Sequence, residues 1–216
     1  MTFLRGAFMK VISIRPKMLD GTVEINESSS YFGAFFLVAG AIGNNIYCIW
    51  ENYNTDKISK RIIEIIKSVG AIIEENKTGI LARATANMKG TKIDCSGLDE
   101  VLPIVAVLCA FCRGTSRLSG LSGEKHRTVL KNISSELSHL GVRCEMTSDG
   151  LLIEGGQTLR GDGAYAWKSS ELAIALTVAS SRCEGEFRLM GTEELHDDKF
   201  LKFMEIYDMI DKETFI

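Results

Sequence analysis

Residues 122–127 read SGEKHR: Ser122, Gly123, Glu124, Lys125, His126 and Arg127. A carboxylate able to move protons, cations able to hold an anion and a histidine sit together between two apolar stretches. The grouping reads as a catalytic loop, the remnant of one, or a solvated turn. Three other stretches carry related chemistry: Ser28, Ser29 and Ser30; Asp99 and Glu100; and Ser169, Ser170 and Glu171. Each precedes an apolar, Ala-rich run. Ser, Asp and Glu suit a helix N-terminus, because they accept hydrogen bonds from its free N–H groups and complement its positive dipole end. Buried helices starting at one end of a molecule also make an anion site. Capping and anion binding both remain open for these residues.

The elements that must position these groups repeat along the chain. Ser29, Glu100 and Glu171 are spaced by 71 residues, as are Gly43, Gly114 and Gly185. Gly70 and Gly141 keep the same interval, and so do Gly79 and Gly150. FFLVAGAIGN, VAVLCAFCRG and ALTVASSRCEG are all apolar helix patterns ending near a glycine. IIEIIKSVGAIIEENKTGILAR and NISSELSHLGVRCEMTSDGLLIEG share an amphipathic helix, a glycine C-cap, a strand, a turn and a second strand. The period predicts three β-α-β-α-β-β units, roughly 11–85, 91–156 and 157–216, with the last strands of the third unclear. The first helix of each unit is apolar nearly all round and belongs inside; the second is one-sided. The expected fold is one α/β domain spanning 1–216, pseudo-three-fold about buried parallel helices.

Composition narrows the function classes. The 216 residues are 45% hydrophobic and 25% charged, with a net charge of −3, ordinary for a globular protein and without a nucleic-acid footprint or a polybasic membrane face. No apolar run reaches the roughly 18 residues that span a bilayer, and the N-terminal stretch lacks a signal-peptide pattern. The six cysteines lie in apolar surroundings, which fits reduced thiols in a cytoplasmic protein. Cys109 and Cys112 form a CxxC inside an apolar helix with no second pair at ligand spacing, so packing is expected there rather than metal or redox work.

The run from Ile93 to Gly155, IDCSGLDEVLPIVAVLCAFCRGTSRLSGLSGEKHRTVLKNISSELSHLGVRCEMTSDGLLIEG, resembles the enolpyruvyl transferases, most nearly EPSP synthase. That family reads PD-x-x-P, then GT, then KE-[ST]-DR, then L-x-x-LG and a DG-[LI]-x-I strand. SSSYFGAFFLVAGA is similar to its serine-pair helix start, and KSSELAIALTV more weakly to its DHR-x-A-M segment. The resemblance covers about residues 10–210 and matches the C-terminal half of a two-lobed family member. It implies transfer of a carboxyvinyl group from phosphoenolpyruvate to shikimate 3-phosphate, in the shikimate pathway of aromatic amino-acid biosynthesis. It implies no metal and no cofactor, and a site between two lobes.

Carried over residue by residue, the resemblance places a candidate base on Glu100, a proton-transfer residue on Glu124, a phosphoenolpyruvate-gripping arginine on Arg127 and substrate-binding serines on Ser28, Ser29 and Ser30. It also marks departures. The family's KESDR lysine falls on Gly123 and its aspartate on His126; the DHR arginine falls on Glu171, and the late lysine near Asp197, two residues from Lys199. At about 4 Å, exchanging an arginine for a carboxylate changes each contact by roughly 4 kcal/mol at an effective dielectric near 20. Several such changes remove on the order of a thousandfold or more in phosphoenolpyruvate affinity. Lys125, His126 and Lys168 are the neighbouring cations that can stand in.

Three readings follow. The chain is a divergent, non-catalytic lobe that binds a ligand or partner; a lobe that works with a separate N-terminal-half chain; or a transferase for a less anionic substrate. The expected partners are such a half chain or a second copy through the cleft-facing surface, and an anionic small molecule; neither nucleic acid nor membrane is expected. The remaining polar landmarks have plain readings. His139 should lie at a helix C-terminus, His196 in solvent, and Trp50 and Trp167 in packing or rim positions. Lys60, Arg61, Glu64 and Lys67 fit the exposed face of a helix, with pairs such as Arg61–Glu64, Glu64–Lys67 and Lys60–Glu64.

Overall fold

The structure, a computed structural model, describes residues 11–14 and 19–210. It begins with a short strand, β1 (Val11–Ile14). The first repeat then runs β2 (Gly21–Ile25), α1 (Gly33–Ile42), β3 (Asn45–Trp50), α2 (Lys57–Ser68), β4 (Ile72–Glu75) and β5 (Gly79–Arg83). The second runs β6 (Lys92–Asp94), α3 (Leu102–Ala110), β7 (Gly114–Ser119), α4 (Glu124–His139), β8 (Arg143–Met146) and β9 (Leu151–Gly155). The third contributes β10 (Gly163–Tyr165), α5 (Ser170–Ser180), β11 (Phe187–Met190) and α6 (Lys199–Met209).

The first two sheets share one order, β2-β3-β5-β4 and β6-β7-β9-β8. In each, the first two strands are parallel across a helix and the rest antiparallel. The third sheet is β1-β11-β10, with β10 and β11 parallel. Its outer position, filled elsewhere by the unit's own last strand, is taken by β1, antiparallel to β11 with Val11 opposite Met190. The first unit therefore starts near β2 rather than at residue 11, because β1 serves the third.

The helices follow their apolar patterns. Every residue of α1 and α3 is buried, and in α5 every residue except Glu171. Phe35, Phe36 and Leu37 lose all exposure, each contributing about 2 kcal/mol of hydrophobic stabilisation. The outer helices bury one face: Ile62, Ile63, Ile65 and Ile66 from α2; Leu130, Ile133 and Leu137 from α4. From α6, Phe203 stacks on Phe36 with ring centroids 4.9 Å apart.

The repeated glycines have repeated causes. After α2, Gly70 N–H bonds to Lys67 C=O and Ala71 N–H to Ile66 C=O; after α4, Gly141 bonds to Ser138 and Val142 to Leu137. Both glycines are left-handed, the geometry that satisfies the last carbonyls of a helix. Gly79 and Gly150 sit where a Cβ would lie 2.0 Å from the carbonyl oxygen of Cys48 and of Leu118, respectively, on the paired strand.

All six cysteines are free and buried. Burial pushes the Cys109 and Cys112 thiols up to about 12, so both remain un-ionised packing groups. His139 is exposed at the end of α4 and His196 is exposed, while Trp50 is buried and Trp167 lies at the surface. Arg61 pairs with Glu64 at 3.9 Å, but Lys67 reaches across to Glu75 instead. Among the described residues no helix is long and apolar enough to cross a membrane.

Candidate functional site

The starts of α1, α3 and α5 converge, but they are capped differently. Ser169 caps α5, its Oγ accepting from Leu172 N–H at 3.1 Å. The other two helices are preceded by short 3-10 turns, Glu27–Phe32 and Asp99–Val101, and neither α1 nor α3 has a side-chain cap. Among the described residues, a side-chain cap on the buried helix is thus seen in the third repeat, from Ser169. Before α3 the turn carries Asp99 and Glu100 to the surface.

Tyr31, from the first turn, links the three starts. Its hydroxyl lies 3.5 Å from the Glu100 carbonyl oxygen, as donor, and its ring lies under the Lys199 ammonium, 4.6 Å from Nζ. Burial, and then the carboxylates of Glu171 and Glu100, push its phenol well above the usual value, so it stays neutral and donating. Lys199, the first residue of α6, donates from Nζ to Glu171 Oε1 at 2.9 Å. The other Glu171 oxygen accepts from Ser169 Oγ at 3.0 Å. Asp197 accepts from Ser170 Oγ at 2.6 Å and from the Lys199 backbone N–H at 3.1 Å. Burial is the largest influence on Lys199 and opposes its charge. The bond to Glu171 and the fields of Glu171, Glu100 and Asp197 outweigh it and hold the ammonium above its usual pKa.

A second cluster adjoins this one through the neighbour of Glu100. Asp99 Oδ1 meets His126 Nε2 at 2.6 Å and its Oδ2 meets Lys125 Nζ at 3.2 Å. His126 Nδ1 lies 2.8 Å from the Ser122 carbonyl oxygen. Both ring nitrogens thus face acceptors, an arrangement satisfied in full by the doubly protonated ring. The Ser122 bond first, and the Asp99 bond next, raise the imidazole pKa.

Of the residues singled out from sequence, Glu100 and Glu171 share the Tyr31–Lys199 cluster. Glu124 and Arg127 do not. They line a separate depression of about 730 Å³ between the N-terminus of α4 and the β8–β9 turn, with Lys131, Thr147 and Ser148. Ser30 borders another depression, of about 680 Å³, beside Glu24 and Asn52. The side chains of Ser28 and Ser29 lie outside the described residues. The three stand-in cations are engaged elsewhere: Lys125 and His126 with Asp99, and Lys168 with Glu194 at 3.9 Å. Tyr31 carried no expected role, and Asp197 and Lys199 were marked only by their nearness to the position of the family's late lysine. The signal for Tyr31 was its place directly after the serine triplet, and for Lys199 its place two residues past Asp197. Among the described residues no group of His, Cys, Asp and Glu is arranged to hold a metal.

Comparison with known proteins gives one answer at three levels. The sequence model of EPSP synthase (3-phosphoshikimate 1-carboxyvinyltransferase) matches residues 12–205. Among individual relatives, 3-phosphoshikimate 1-carboxyvinyltransferase of Clostridium perfringens is 33% identical over 157 residues, 71% of this chain and 37% of that enzyme. The enzyme of Clostridium acetobutylicum is 32% identical over 162 residues, 74% of this chain and 37% of its own. EPSP synthase from Acinetobacter baumannii superposes with a TM-score of 0.65 at 22% identity, over 83% of this chain and 45% of that one. The enolpyruvyl transferase NikO from Streptomyces tendae superposes with 0.68 at 14% identity, over 83% and 43%. These two establish a shared fold. The chain spans less than half the length of the relatives it matches. With the family match over nearly all described residues, the chain belongs to the EPSP synthase family.

Proposed function

We propose that this chain is a lobe of the EPSP synthase type that does not itself carry out carboxyvinyl transfer and instead binds a ligand or partner through the face where the three buried helices start. One observation carries this reading: Glu171, where the family's DHR arginine would stand, is bonded to Lys199 at 2.9 Å. A carboxylate replaces a cation there, and a neighbouring cation is neutralised by it. An incoming phosphate or carboxylate would meet Glu100, Glu171 and Asp197, and would have to break an existing ion pair to find a positive partner. Gly123, where the family carries a lysine, supplies no charge, and Arg127 lines a depression whose walls do not include Glu171.

A second reading, a working transferase lobe paired with a separate N-terminal-half chain, draws on the retained Glu100, Glu124 and Arg127 and on the partial span of the relatives. One experiment separates the two. The chain is mixed with an N-terminal-half protein of a relative, phosphoenolpyruvate and shikimate 3-phosphate are added, and phosphate release is followed; titration calorimetry measures phosphoenolpyruvate binding. The expected outcome is no release above either chain alone and no saturable heat. Phosphate release by the mixture would overturn the non-catalytic reading and establish the second.

A further inference from the structure

Among five surface depressions on the described residues, four have at least one carboxylate on their walls. The fifth, about 290 Å³, holds two arginines, Arg113 and Arg182, and no acid. In a chain of net charge −3 this local excess is notable. It lies at the opposite ends of α3 and α5 from the Tyr31 cluster, beside the loops that join one repeat to the next. Its walls come from the β5–β6 loop, the segment after α3, the β9–β10 loop and the segment after α5.

Arginine beyond a helix C-terminus often serves to cap the last carbonyls and complement the dipole. Here the backbone already occupies those carbonyls. Ala110 C=O accepts from Gly156 N–H and Cys109 C=O from Cys112 N–H; Ala179 C=O accepts from Arg182 N–H and Ser180 C=O from Cys183 N–H. Among the described residues neither guanidinium donates to a protein acceptor or lies within ion-pair distance of a carboxylate, whereas Arg61, Arg83, Arg117, Arg143 and Arg188 all do. The β9–β10 loop adds further donors: the backbone N–H groups of Gln157 and Thr158 have no acceptor among the described residues. Two guanidinium forks and free N–H groups around a small cavity match the demands of a tetrahedral oxyanion.

We infer that this cavity is a binding site for a phosphate group, free or carried on a small monoester. The site is separate from the helix-start face and does not rest on the function proposed for it. Because its walls come from the junctions of all three repeats, an anion bound there ties them together and stabilises the folded chain by mass action.

The test titrates the isotopically labelled chain with inorganic phosphate, and in parallel with glycerol phosphate, at constant ionic strength. The Gln157 and Thr158 amide resonances are followed, with the thermal midpoint as second readout. In the unaltered chain these amides shift saturably with at least one of the two probes, and the tighter probe identifies whether the group is free or esterified. Arg113→Gln and Arg182→Gln each weaken binding about tenfold or more, and the double variant abolishes the shift. Arg160→Gln, another exposed arginine without an ion pair, leaves it intact. Absence of a saturable shift with both probes, or an unchanged response in the double variant, would overturn the assignment. Both arginines are exposed, so the variants are expected to fold, and their own spectra verify that.

Discussion

His126 presents both ring nitrogens to acceptors, so its charge and the geometry around it are linked. Its raised pKa means that it binds its proton more tightly folded than unfolded. The resulting stability is fully present below the ordinary value of 6.5 and is lost as pH rises through the raised folded value. Asp99 acts in the opposite sense. Burial raises its pKa, but the bonds from His126 and Lys125 outweigh that and leave it depressed, so its contribution is lost only as pH falls through that low value. Urea unfolding of the unaltered chain should therefore show a midpoint that declines as pH rises above 6.5. His126→Gln should flatten that decline, and an unchanged slope in the variant would refute the link. None of this was legible in the sequence, where His126 read as a departure from a motif and as a stand-in cation, without a partner. Residue type is visible in sequence, but the partner of a side chain is set by which helix starts meet. That is also why Glu171 could be identified as a charge reversal while Lys199, its partner from a different element, could not.

At the scale of elements the sequence was far more readable, because hydrophobic period and glycine spacing are local quantities. The buried and amphipathic helices alternate as their patterns require. The 71-residue interval of Gly79 and Gly150 corresponds to one repeated close approach between strands. The two kinds of repeated glycine predict different outcomes. Gly150→Ala would drive a Cβ against the Leu118 carbonyl and should cost about 3 kcal/mol in denaturant unfolding, since backbone must move. Gly141→Ala has space but a left-handed φ of 85°, and should cost about 1 kcal/mol. Equal losses in the two variants would contradict this distinction. The 3-10 turns before α1 and α3 were not legible. Serine and acidic residues favour a cap and a tight turn alike, and tertiary packing decides between them.

For the whole molecule, three-fold order was inferable from the repeat, but the origin of the third sheet's outer strand was not. β1 resembles the opening of the first unit because it immediately precedes it, and only the pairing with β11 shows otherwise. Ile14 is buried at that junction opposite Phe187. Ile14→Ala should cost about 2–5 kcal/mol and should accelerate amide exchange in β10 and β11 more than in β7. Uniform acceleration across all three sheets would argue against a local role for β1.

The same pairing sets a timetable for biosynthesis. Val11 and Met190 lie about 180 residues apart, so at roughly 5–20 residues per second β1 emerges from the ribosome some ten to forty seconds before its partner exists. During that interval its apolar residues have no native surface to cover them. The first two repeats can assemble their own sheets as they emerge, whereas the third waits for a strand synthesised long before it. A chaperone that shields an exposed strand would find its longest opportunity at β1, and closure of this one long loop is the natural slow step of folding.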